Sequence, residues 1–131
     1  GLGVMSILVG KHIDQAGFDR SHRQQTLPVL LGDTNARTFN RAVIVAMYVI
    51  IAALILTGRV TPFAALAFLA LPRAWRAVTM MSRPRPDVPP PGYVGWPLWY
   101  HRVCLVHNRL FGWVYIAGLA LGALFPGVRF R

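Results

Sequence analysis

The stretch AVIVAMYVIIAALILT, from Ala42 to Thr57, is a continuous apolar run without a charged residue. A helix that crosses the hydrocarbon core of a bilayer needs about 20 residues, with about 17 as the lower limit. The run reaches this length when Phe39 or Gly58 is included. Other apolar runs cover Val60–Met81, Leu110–Phe125 and, over a shorter distance, Val4–Gly10. We therefore predict an all-α integral membrane helical bundle with three full transmembrane helices and the end of a fourth.

The composition supports this fold class. The 131 residues are 55% hydrophobic, which is more than an ordinary soluble domain contains, and the mean hydropathy is +0.47. Arg73 and Arg76 lie near one end of the second span, where long side chains can reach the membrane interface. The single cysteine, Cys104, lies in an apolar stretch, which excludes an intrachain disulfide and favours a buried structural thiol.

The net charge of +10 would also suit a nucleic-acid-binding protein. We exclude nucleic acid as a partner, because the arginines flank the apolar runs and no nucleic-acid-binding motif is present. The positive-inside rule explains them better. If the spans alternate in direction, most basic residues fall on one side, and the other side keeps Arg59, Arg129 and Arg131. This asymmetry predicts an integral membrane protein, of the bacterial inner membrane, with its acidic segment facing the cytoplasm.

Two polar segments separate the spans. Residues 11–40 are interpreted as a cytoplasmic loop that carries an acidic motif, and residues 82–99 as a stiff, proline-rich loop.

Asp33 or Thr34 is expected to cap a helix from Ala36, and Thr61 to cap one that starts at Pro62. Pro72 should kink the second span. Gly118 and Gly122 form a small-xxx-small pair that allows close helix packing.

The acidic segment is the main candidate for function. It reads KHIDQAGFDR from Lys11 to Arg20 and holds two of the four carboxylates in the chain, Asp14 and Asp19. Paired acids beside Lys11, Arg20 and Arg23 suit a divalent metal that holds a phosphorylated ligand at a membrane surface. The alternative is a solvated connecting loop, which is what most charged segments of this kind are.

From Lys11 to Gly32 the sequence resembles the second aspartate-rich region of the UbiA superfamily of intramembrane prenyltransferases. That region has acidic residues, a basic segment, Thr-Leu-Pro-Val and a Leu-Gly ending, which here are Asp14 and Asp19, Arg20 and Arg23, Thr26–Val29, and Leu31-Gly32. Trp96–Trp99 and His107–Gly112 also resemble the last helix of bacterial members. By this resemblance, residues 1–131 are the C-terminal part of a UbiA-like transmembrane domain.

The resemblance implies a specific chemistry. Family members use Mg²⁺ to bind a prenyl diphosphate and transfer the prenyl group to an acceptor. At the matching positions, Asp14 and Asp19 would be metal ligands, and Lys11, Arg20 and Arg23 would bind the diphosphate. Gly17 stands where many relatives carry a third acid, which weakens a site built on charged oxygen ligands. The other aspartate-rich motif of the family would lie before Gly1, so the chain is expected to be a C-terminal half and inactive alone.

Other functions stay open. The main alternative is a catalytically idle UbiA-like structural subunit of a larger membrane complex, such as a quinone-using electron-transfer or photosynthetic complex. A small transporter or channel subunit is less favoured. Expected partners are membrane lipid, prenyl diphosphate, and other membrane subunits or the missing N-terminal half. Of the histidines, His12 and His22 are expected to be solvated, and His107 to hydrogen-bond to loop backbone.

Overall fold

The computed structural model describes residues 1–128, so Arg129 and Arg131 and their predicted side of the membrane lie outside the described residues. Within this range every element is helical, as predicted, and no strand occurs. Three helical stretches, Asp33–Leu56, Pro62–Met81 and Tyr100–Leu124, are long and apolar enough to cross a membrane. The elements are α1 (Leu2–Asp14), α2 (Ala16–Ser21), α3 (Leu27–Leu31), α4 (Asp33–Leu56), a 3₁₀ segment (Pro62–Ala70), α5 (Leu71–Met81) and α6 (Tyr100–Leu124).

The segment 11–40 is not a loop, which corrects the expectation from sequence. Helix α1 continues to Asp14, the short helices α2 and α3 follow, and α4 already begins at Asp33. Gly32 adopts a positive φ of 78° immediately before α4, a conformation that suits glycine. Asp33 does not cap this helix; its carboxylate accepts a hydrogen bond from Arg37 Nε at 2.8 Å instead. Polar residues therefore extend α4 beyond its apolar part.

The second span changes helix type along its length. Thr61 Oγ1 accepts a hydrogen bond from the Phe63 backbone N–H at 3.4 Å, which confirms the predicted cap. The 3₁₀ segment ends at Ala70 and α5 begins at Leu71, so that Pro72 lies in the first turn of α5. Proline is tolerated there because it has no N–H to donate. The irregularity expected at Pro72 is thus a junction between two helices. The buried side of the whole stretch is mostly alanine: Ala64, Ala67, Ala70, Ala74 and Ala77.

Helix α6 packs closely along this alanine-rich side. A Cβ added at Gly118 would meet the backbone oxygen of Phe63, and one added at Gly122 would meet the side chain of Thr61. The predicted small-residue contact is therefore confirmed. Close backbone approach of this kind is how membrane helices gain packing energy, since burial of apolar surface in lipid contributes little.

Helix α1 packs against both α4 and α6. Asn40 of α4 is fully buried and donates a hydrogen bond from Nδ2 to the Ser6 carbonyl of α1 at 3.0 Å. The same nitrogen lies 3.7 Å from Cys104 Sγ of α6. Cys104 is fully buried, as predicted. The three helices are therefore joined by a buried polar contact as well as by apolar packing.

Large apolar side chains remain exposed on the outside of the bundle. The accessible fractions are 61% for Val49, 63% for Leu69 and 70% for Trp113. Such surface is expected where a helix faces lipid or another helix. This exposed apolar surface is consistent with three helical stretches that are long and apolar enough to cross a membrane.

Candidate functional site at the polar end of the bundle

The candidate site residues lie at one end of the bundle, which we call the polar end. It comprises the end of α1, the start of α4, the end of α5 and the start of α6. Arg37 of α4 donates a hydrogen bond to the Met81 carbonyl of α5 at 3.1 Å. The Tyr100 hydroxyl of α6 donates to the Arg83 carbonyl at 2.8 Å. These bonds between elements show which helix ends meet there.

Asp14, the first predicted metal ligand, holds the start of α6. Its Oδ1 accepts a hydrogen bond from the Tyr100 N–H at 3.1 Å, and its Oδ2 accepts one from the His101 N–H at 2.9 Å. The first N–H groups of a helix have no partner within the helix and carry partial positive charge, so a carboxylate stabilises them. Burial raises the pKa of Asp14, and these backbone hydrogen bonds oppose that increase.

Close packing positions the Asp14 carboxylate. Gly10 lies one turn earlier on α1, and a Cβ added there would lie 3.1 Å from the Tyr100 backbone carbonyl carbon and oxygen. Arg85 of the proline-rich loop donates hydrogen bonds to the Asp14 carbonyl at 3.2 Å and the Pro97 carbonyl at 2.9 Å. Its guanidinium also lies over the Trp96 ring, 5.1 Å from the centroid. Arg85 thus joins the proline-rich loop, which has no helix or strand, to the end of α1.

Asp19, the second predicted ligand, has different partners. Its Oδ2 accepts hydrogen bonds from His12 Nδ1 at 2.9 Å and from Thr26 Oγ1 at 3.0 Å. The hydrogen bond from His12 lowers the pKa of Asp19 more than any other contact, and Lys11 lowers it further. His12 is therefore a hydrogen-bond partner of Asp19 and not simply a solvated side chain, which corrects the expectation from sequence.

The predicted diphosphate ligands are more exposed and have fewer partners than the two acids. The side chains of Lys11, Arg20 and Arg23 are exposed. Lys11 is near enough to Asp19 to affect its titration. Arg20 and Arg23 take part in none of the ion pairs found among residues 1–128. The structure therefore brings Lys11, but neither arginine, into electrostatic contact with Asp19.

The residues present do not form a magnesium site by themselves. Within the described part of the chain, no three acidic, histidine or cysteine side chains are placed to hold one metal ion. Both oxygens of Asp14 are taken by backbone N–H groups, and Asp19 shares one oxygen between two donors. A Cβ added at Gly17 would meet no other atom, so no neighbouring side chain takes the place of a third acid there. Further ligands would have to come from elsewhere.

The spatial neighbours of Asp14 were not predicted from the sequence. A cavity of about 300 Å³ beside it is also lined by Asp33, Arg85 and Asp87. The partners of Asp14 on α6, Tyr100 and His101, follow it in the sequence by 86 and 87 residues. No local pattern could have indicated this contact, because Asp14 acts as a cap on a helix other than its own.

The prediction for His107 was wrong. It is fully buried in the bundle, and its Nε2 lies 2.9 Å from the Tyr48 hydroxyl of α4, within hydrogen-bonding distance. Phe111 packs beside both rings, with centroid distances of 5.8 Å to His107 and 5.3 Å to Tyr48. A side-chain partner on a neighbouring helix thus replaces the expected loop backbone.

Comparison with known proteins finds no match to this chain among family models, curated proteins or solved structures.

Proposed function

We propose that this chain is part of a UbiA-type intramembrane prenyltransferase, which transfers a polyprenyl group from its diphosphate to an acceptor and depends on Mg²⁺. The observation that carries the proposal is the burial of both acids of the motif. Asp14 is 9% exposed and Asp19 is 2% exposed. A solvated connecting loop would leave its carboxylates in water, whereas a site for a charged ligand holds them in fixed positions.

The architecture supports the same proposal. The acidic segment is held at the polar end of three helical stretches that are apolar and long enough to span a membrane. A long prenyl chain would be soluble in such an environment, and its diphosphate would lie at the polar end. The site would still need a second aspartate-rich motif, which these 131 residues do not contain. The exposed apolar surface of the spans would then be covered by the helices that carry that motif.

One observation favours a second function, that of a catalytically idle UbiA-like subunit in a larger membrane complex. Both carboxylate oxygens of Asp14 accept hydrogen bonds from the start of α6. In this interpretation Asp14 and Asp19 fix helix ends, and the exposed apolar surface binds other subunits. The acids would then be needed for stability and not for catalysis.

The two functions differ in what they predict for Asp19. The experiment uses the protein as its gene encodes it, in membrane vesicles, with a radiolabelled prenyl diphosphate, a panel of aromatic acceptors and Mg²⁺. The prenyltransferase proposal predicts transfer that falls on the order of 100-fold in Asp19→Asn. Asp87→Asn is the matched control, because Asp87 is exposed, and it should keep full activity.

Two outcomes decide against the enzyme. One is an absence of prenyl transfer and of Mg²⁺ binding in the unaltered protein. The other is an Asp19→Asn variant that loses stability but keeps its rate per folded molecule. Gly17→Glu adds a further test, since the open space at Gly17 can hold the added carboxylate. If the site geometry is that of the family, this variant should bind Mg²⁺ more tightly than the unaltered protein.

We also propose that the polar end faces the cytoplasm of a bacterial cell, as the positive-inside rule requires for the end that collects most arginines. Cysteines introduced at Ser21 and at Arg59, in a chain with Cys104→Ala, report the two ends separately. A membrane-impermeant thiol reagent added to intact cells should label the cysteine at position 59 and not that at position 21. The reverse pattern would reject the orientation.

A further inference from the structure

A second group of arginines lies at the polar end, apart from the acidic segment. Arg73 and Arg76 of α5 and Arg102 of α6 line one cavity of about 180 Å³, together with Tyr93 of the proline-rich loop. The Arg102 guanidinium lies over the Tyr93 ring, 5.3 Å from its centroid. The Tyr93 hydroxyl is fixed in turn, because it donates a hydrogen bond to the Leu98 carbonyl at 3.0 Å. Arg102 therefore stacks on a ring that the loop itself holds.

Among the described residues, those that line this cavity include no carboxylate. Within residues 1–128, the basic side chains whose nitrogens lie within 4 Å of a carboxylate oxygen are His12, Arg37 and Arg85. The cavity is lined by three arginines and by no acid. Three guanidinium groups near one another repel, and an anion between them removes that repulsion. The cavity is thus complementary to a compact, negatively charged group.

The remaining lining is apolar. Met80, Val103 and Val106 complete the cavity beside the arginines. Arg73 follows the apolar part of the second span, and Arg102 precedes the apolar part of the third. The cavity therefore lies where polar helix ends meet apolar surface. A ligand that fits both parts has an anionic head and an apolar body.

We propose that Arg73, Arg76 and Arg102, with Tyr93, bind the phosphate of an anionic phospholipid from the surrounding membrane. Guanidinium groups bind phosphate oxygens through paired, charge-assisted hydrogen bonds. The lipid glycerol and acyl chains lie along Val103 and Val106. The bound lipid bridges α5 and α6, which also pack directly against each other. This inference does not depend on prenyl transfer.

The test measures lipid selectivity in the full chain. The protein is placed in phosphatidylcholine vesicles with trace spin-labelled phosphatidylglycerol or spin-labelled phosphatidylcholine, and the motionally restricted fraction gives relative association constants. We expect a preference for phosphatidylglycerol on the order of 100-fold, since each of the three arginines contributes roughly five-fold. Arg76→Gln and Arg102→Gln should each reduce the preference by roughly that factor. High salt should reduce the preference, because the side chains of Arg73, Arg76 and Arg102 are exposed to solvent.

The matched control is Arg83→Gln, which removes the same charge at the same end from an exposed side chain outside the cavity. It should keep the lipid preference. Equal reductions in Arg83→Gln and Arg102→Gln would mean that the preference reflects only the total positive charge, and would overturn the proposal. Inorganic phosphate and diphosphate are added to the vesicles in separate samples. Displacement of phosphatidylglycerol by either at millimolar concentration would assign the cavity to a soluble anion and overturn the lipid assignment.

Discussion

Replacing Asp14 with alanine should destabilise the fold more than any other change to an acid in this chain. The substitution removes the acceptors of two backbone N–H groups at the start of α6. Loss of a helix cap costs about 0.5–2 kcal/mol, and a hydrogen bond to a charged group contributes about 1.5–3 kcal/mol. The cost of burying the carboxylate is recovered at the same time. We therefore expect a loss of about 2–3 kcal/mol in the free energy of unfolding.

The measurement is denaturant unfolding of the purified protein in detergent micelles, followed by circular dichroism. Asp14→Asn keeps one carbonyl acceptor and should lose about half as much stability as Asp14→Ala. Asp87→Ala is the control, because Asp87 lines the same cavity but is exposed, and it should change stability by less than about 0.5 kcal/mol. If Asp14→Ala unfolds at the same denaturant concentration as the unaltered protein, the capping contact does not stabilise α6 and the argument fails.

Two further predictions concern packing and pH. Gly118→Leu should destabilise the bundle by at least about 2 kcal/mol, because its side chain would enter backbone of the 3₁₀ segment. Gly112→Leu, with open space around it, should be tolerated in the same unfolding assay; equal losses in the two variants would refute the packing argument. Because the pKa of Asp19 is lowered below its ordinary value of 3.8, its stabilising contribution is present above about pH 4 and is lost as the pH falls through the lowered pKa. Acid unfolding of Asp19→Asn should therefore lack this part of the pH dependence, and an unchanged acid transition would contradict it.

The helical fold class could be predicted because it depends on local chemistry. Runs such as Ala42–Thr57 are too apolar for water, and inside a bilayer each backbone N–H must find its partner within the same segment. The cap at Thr61 and the glycine pair of α6 were predictable for a similar reason. Each follows from the conformation or size of single residues. The ends of the spans were less predictable, since polar residues continue a helix into water without any apolar signal.

The candidate site was predicted only in part. The sequence singled out Asp14 and Asp19 as unusual in so apolar a chain, and the structure buries both. Their partners were not predicted, because proximity in sequence does not determine which groups meet across helices. His12 reaches Asp19 seven residues away, while Asp14 reaches the start of α6 after a separation of 86 residues. The motif spacing suggested one shared site, whereas packing gives the two acids separate partners.

The sequence by itself determined the helices, the apolar spans and the collection of arginines near their ends. These properties follow from composition and from the hydrogen-bonding needs of the backbone in lipid. Only the tertiary structure decided that Asp14 caps α6 and that Tyr48 meets His107. It also decided that Arg73, Arg76 and Arg102 share one cavity. These contacts join residues far apart in the chain, and they form because close packing of alanine and glycine surfaces fixes how the helices meet.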